Sequence, residues 1–118
     1  MSRIFEITFR FDIPWKPEYT NGTGYMMLTT KISDQLRSMV YNSTAKDIVD
    51  YIQILNVRQG SVLATIVIGF YQYLTPYDVR QATINLVKAV QEQPPSSSND
   101  LIEKIDLSYI MVSERRGN

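Results

Sequence analysis

Gly60-Ser61 is where this sequence offers chemistry. The pair stands at the apex of a largely apolar run, Ile54-Leu55-Asn56-Val57, a polar turn, Arg58-Gln59-Gly60-Ser61, and a second apolar run, Val62 to Ile68. That layout predicts two adjacent antiparallel strands joined by a tight turn. Glycine enters such a turn because it takes positive φ without steric cost. The serine that follows carries its hydroxyl one residue from the carbonyl of Gly60, and a strained turn at that bond can make the serine attack its own peptide linkage. The alternative is a hairpin turn with no chemistry at all.

Little other chemistry can be assembled. The chain has no histidine and no cysteine, which removes Ser-His-Asp and Cys-His catalysis, thiolate zinc sites, haem attachment and disulfide scaffolds. No cofactor and no metal site is expected. Twelve basic residues balance twelve acidic ones, so neither a nucleic-acid footprint nor an acidic tail is present, and no nucleic-acid partner is expected. Asp47 and Asp50 lie close together, but two carboxylates on a short polar face read as solvated. The longest apolar stretch, Val62 to Phe70 broken by Thr65, is strand-sized and far below the ~20 residues that cross a bilayer. Arg3, Glu6 and Arg10 interrupt the N-terminus, so no signal peptide is expected there. The chain reads as cytosolic or as a domain of a longer protein. Asn21-Gly22-Thr23 and Asn42-Ser43-Thr44 match the N-glycosylation acceptor pattern, which tilts the reading towards a secreted setting.

The elements that must hold Gly60-Ser61 are legible from periodicity. Phe5, Ile7, Phe9, Phe11 and Ile13 alternate with Glu6, Thr8, Arg10 and Asp12, predicting a strand from Ile4 to Ile13 with one buried and one wet face, ended by Pro14 and Pro17. From Tyr25 the apolar residues Leu28, Ile32, Leu36, Met39 and Val40 recur at helical steps, with Asn21 or Thr23 as the cap. A short helical turn is expected over Thr44 to Val49, capped by Ser43 or Thr44. Strands follow at Tyr51–Val57 and Ser61–Tyr73. Thr75-Pro76-Tyr77-Asp78 is a helix start, and Val79, Thr83, Leu86 and Val90 form its stripe, with Ala82 and Val87 beside them. Gln93 to Asn99 is a connection, and Leu101 to Glu103 a brief helical turn. A last strand runs from about Ile105 to Val112, with Ile105, Leu107, Tyr109 and Met111 on one face, before a tail at about 113–118. The order β-α-β-β-α-β predicts one domain over residues 1–118: a ferredoxin-like α+β sandwich, a four-stranded antiparallel sheet with both helices on one face.

With a Gly-Ser turn between strands two and three, this arrangement resembles the SEA domain of membrane mucins and related cell-surface proteins. The resemblance covers almost the whole chain: the opening alternating strand, the helix carrying Tyr25 and Leu28, the segment Asn56-Val57-Arg58-Gln59-Gly60-Ser61-Val62, and the later strand ending in Gly69-Phe70. Self-cleaving members carry three branched aliphatics after Gly-Ser, usually valines. Here Val62 is followed by Leu63 and Ala64, and Gln59 stands where a proline is common; many members of the family never cleave.

The resemblance implies an intramolecular N-to-O acyl shift in which the Ser61 hydroxyl attacks the Gly60 carbonyl and water then resolves the ester. Without histidine, the drive comes from twisting the amide, where about 12° of ω stores about 1 kcal/mol and each 1.36 kcal/mol removed from a barrier is about tenfold in rate. It also implies an extracellular setting in a membrane-anchored or secreted protein, a single-turnover reaction at most, and a non-covalent heterodimer of the two fragments that serves shedding or mechanical protection. Other cell-surface proteins or glycans are the further partners it suggests. A non-cleaving member would be a structural or adhesive spacer. Two competing readings rest on the fold type. One is an RNA-recognition module, suggested by Gly69-Phe70-Tyr71-Gln72-Tyr73 but opposed by Ile68 and by the polar face of strand one. The other is a cytosolic ligand-sensing or oligomerising domain with Tyr71 and Tyr73 as interface anchors.

Overall fold

Period-two hydrophobicity on aromatic and branched residues builds the centre of the sheet. In the computed structural model, which describes residues 1–115, β1 (Ser2–Phe11) buries Phe5, Ile7, Phe9 and Phe11 almost completely while Glu6, Thr8 and Arg10 face the other way. Next come α1 (Gly22–Tyr41), β2 (Val49–Gln59), β3 (Val62–Leu74), α2 (Pro76–Gln91) and β4 (Ile105–Glu114), with short 3-10 turns at Pro17–Tyr19, Thr44–Asp47 and Ile102–Lys104. All pairings are antiparallel and the sheet order is β2-β3-β1-β4. This is the ferredoxin-like α+β arrangement: β1 and β2 are joined through α1 with β3 inserted between them.

The inward faces of the strands and the apolar stripes of the helices form one core, in which Phe5 meets Phe70 edge-on at 5.8 Å. α1 packs chiefly over β2 and α2 over β4, and the two helices touch each other only lightly. Long polar side chains fasten each helix to its strand. Arg37 donates to the Ile52 carbonyl at 2.7 Å, and Arg80 donates to the Ile110 carbonyl at 2.9 Å. Gln35, buried on α1, ties down the segment before β4: its Oε1 accepts from the amides of Leu101 and Ile102, and its Nε2 donates to Asp100 at 2.6 Å. Lys31 sits 2.8 Å from the same carboxylate and, with Gln35, holds the Asp100 pKa below the ordinary aspartate value.

Thr75 caps α2 by accepting from the Asp78 amide, with Pro76 in the first turn, and Ser43 caps the Thr44–Asp47 turn. Several sequence expectations are corrected. β1 ends at Phe11 and not Ile13, because the Asp12 amide turns away to the Lys104 carbonyl. Asn21 occupies the cap position of α1 but its side chain makes no cap hydrogen bond, and Thr23 lies inside the helix. On α2, Val87 is fully buried in the stripe, Leu86 and Val90 are half-buried, and Ala82 is exposed.

The expected inner face of β4 holds at Ile105 and at Leu107, which packs against the core, and fails towards Met111. Phe11 pairs with Ile105 but Phe9 pairs with Ile110, and this irregularity adds residues to β4. The alternation is thereby inverted, so Ile110 faces the core and Met111 is 59% exposed. The expected tail begins too early: Ser113 and Glu114 are in β4, and the Arg115 amide donates to the Ile4 carbonyl. Residues 116–118 of that tail lie outside the described residues.

Candidate functional site

From Asn56–Thr65 onward strands β2 and β3 pair without interruption to Gln59–Val62, so Gly60 and Ser61 form the whole connection. Two-residue hairpins favour positive φ because that hand of turn matches the twist of the flanking strands. Both residues comply: Gly60 has φ +144° and Ser61 has φ +50°. Glycine bears this freely. A β-carbon at Gly60 would also lie 2.8 Å from Leu63 Cδ1. For Ser61, an L-residue and the one non-glycine with positive φ among the described residues, that backbone costs about 1–2 kcal/mol. Among the described residues every peptide bond is trans.

The surroundings fix this geometry. Val62 is fully buried and pairs with both Gln59 of β2 and Phe11 of β1, itself fully buried. Val57 and Ala64 pair two steps inside the closing pair Gln59–Val62 and are buried as well. The half-buried Ser61 is therefore held at the end of two ladders, an arrangement able to impose strain on one residue. The serine oxygen and the preceding carbonyl carbon close a five-membered ring when they bond. Attack within one residue has the entropic advantage of an intramolecular reaction.

Nearby charged groups are engaged elsewhere. Arg58 Nη1 donates to Asn56 Oδ1 at 2.8 Å and Thr65 Oγ1 at 3.0 Å, and Thr65 shares a 2.8 Å hydrogen bond with Thr8. Arg10 Nε lies 3.5 Å from Asp12 Oδ1. The Arg58–Thr65–Thr8 chain crosses the helix-free face of the sheet and went unnoticed in the sequence. Its only signal there was polar residues at alternate positions of three strands.

The other singled-out residues lie apart from the turn. Asn21 and Asn42 are exposed at opposite ends of α1, and the Asn42 amide donates to Ser38 Oγ at 3.1 Å. Asp47 belongs to a 3-10 turn and Asp50 to β2. Asp50 stands beside the exposed Tyr71 and raises that phenol's pKa. Tyr73 is 59% exposed, with the Arg3 guanidinium 4.6 Å from its ring centre. Phe70, the aromatic most needed by an RNA-stacking strand, faces the core. No helix is long and apolar enough to cross a membrane among the described residues. No known family model matches the chain, and no curated protein matches it significantly.

Proposed function

We propose that the chain is a SEA-like module of a cell-surface or secreted protein, and that Gly60–Ser61 is a bond it cuts in itself. The observation that carries this reading is the positive φ of Ser61, an L-residue clamped in a two-residue hairpin between buried strands. The reaction follows from covalent geometry. Ser61 Oγ bonds to the Gly60 carbonyl carbon, the C–N bond breaks, and the hydroxyl proton ends on the departing nitrogen. This leaves an ester with a free α-amine. Water then cleaves the ester, giving a Gly60 carboxylate and restoring the Ser61 hydroxyl.

Backbone strain of about 1–2 kcal/mol at Ser61, released as the ring closes, is worth about 5–30-fold in rate. Proximity of the hydroxyl, one residue from the carbonyl it attacks, supplies the rest. The reaction turns over once and uses no cofactor. Its products, ending at Gly60 and beginning at Ser61, stay joined by strand pairing and the shared core. On a cell surface such a joint parts under load before a covalent chain does, which suits shedding or mechanical protection. Exposed acceptor asparagines at Asn21 and Asn42 favour the extracellular setting.

Intact mass under denaturing conditions tests the reading. Freshly folded protein is expected to separate into two species, residues 1–60 and 61–118, while Ser61→Ala remains whole. A single full-length mass after prolonged incubation refutes self-cleavage and leaves the module as a non-cleaving spacer.

A further inference from the structure

We infer that the space between the two helices is a binding site for a small uncharged apolar molecule, a single aromatic ring or a short unbranched chain. Because α1 leans over β2 and α2 over β4, the middle of the sheet is incompletely covered. A cavity of about 210 Å³ remains there. Its floor is Ile7, Ile66 and Ile68, each at most 5% exposed. Exposed Ala82 and half-buried Ala45 line it as well, so it reaches the surface beside two of the smallest side chains in the protein.

The lining chemistry selects the occupant. Thr83 and Asp78 are the only polar residues lining the cavity among the described residues. The Thr83 hydroxyl donates to the Val79 carbonyl at 2.7 Å, so its proton is already committed. An ordered water needs two to four polar partners, and an apolar cavity of about 150 Å³ is known to stay dry and take up benzene or xenon. The space here is larger and suits a substituted ring. Asp78, exposed on α2, is the only charged residue lining the cavity among the described residues and disfavours a carboxylate head group, although Lys46 and Asp47 follow Ala45 in the rim turn.

Toluene is the first probe, titrated into the full chain and followed by methyl NMR and thermal unfolding. Methyls of Ile66, Ile68 and Val79 are expected to shift saturably while Val67, on the helix-free face, stays still. At about a hundredfold excess over Kd, about 2.7 kcal/mol, the midpoint should rise by roughly 10–13 °C. Ala82→Phe places a ring at the rim from an exposed helix position and is expected to abolish both effects; Ala45→Leu on the opposite side serves the same purpose should the first variant fold poorly. Hexanol should bind more tightly than hexanoate. The assignment is overturned if no saturable shift occurs, if Val67 moves as much as Ile66, or if a folded plugged variant responds like the wild type. Equal binding of hexanoate overturns the preference for an uncharged ligand.

Discussion

Replacing Ser61 by glycine and, separately, by alanine isolates the backbone's contribution at the hairpin from that of the hydroxyl. Neither variant carries the attacking oxygen, so both stay uncut and their stabilities compare directly. Alanine keeps the β-carbon and with it the cost of φ +50°, about 1–2 kcal/mol for an L-residue. Glycine removes that cost but returns about 0.5–1 kcal/mol through the greater freedom of its unfolded chain. The difference leaves Ser61→Gly more stable than Ser61→Ala by about 0–1.5 kcal/mol, centred at about 0.75 kcal/mol, a rise of roughly 3 °C in Tm at the centre for a domain of this size. Urea titration and calorimetry of the two proteins, side by side, measure it. If the glycine variant is the less stable of the two, Ser61 is not strained, and the hairpin has no stored backbone energy to spend on bond cleavage.

Gly60→Ala should cost about 1–3 kcal/mol, since a side chain at φ +144° is strained and also crowds Leu63; the urea midpoint reads the loss. Gln35→Leu, close in volume, should cost at least about 1–3 kcal/mol because two amides, those of Leu101 and Ile102, lose their acceptor; an unchanged midpoint would mean that water replaces the side chain. The depressed pKa of Asp100 makes its ionised form stabilising. That contribution is fully present above about pH 4, the ordinary aspartate range, and disappears as pH falls through the lower folded value. Asp100→Asn should therefore flatten the acid limb of a stability–pH curve, modestly, because the group is half-exposed.

Much of the scaffold was legible because its signals are periodic. The alternation from Phe5 to Phe11 and the Thr75-Pro76 cap needed only residue types and spacing. β2 proved longer than its apolar stretch because it is an edge strand, and polar Arg58 and Gln59 extend its ladder without burial. β4 was misread for a different reason: an irregular pairing opposite Phe9–Phe11 shifts the alternation, and nothing in the strand's own sequence marks the slip. The hairpin's position was readable from Gly60-Ser61, whereas the backbone of Ser61 was not, because an L-residue takes positive φ only when its neighbours impose it. The interhelical cavity depends on how far apart two helices settle, a property of packing that no single stretch of chain encodes.

The order of the strands has one more consequence for a molecule opened at its hairpin. Strands β1 and β2 precede the turn and β3 and β4 follow it, yet across the sheet they alternate, β2-β3-β1-β4. Each of the three seams therefore couples one half to the other, and no seam joins a half to itself. The halves are dovetailed like fingers of two hands, and drawing them apart must unzip the entire sheet at once. Once parted, neither retains a pair of neighbouring strands, so departure dismantles the template each needs to refold. If the hairpin bond is cut as proposed, such a latch releases once.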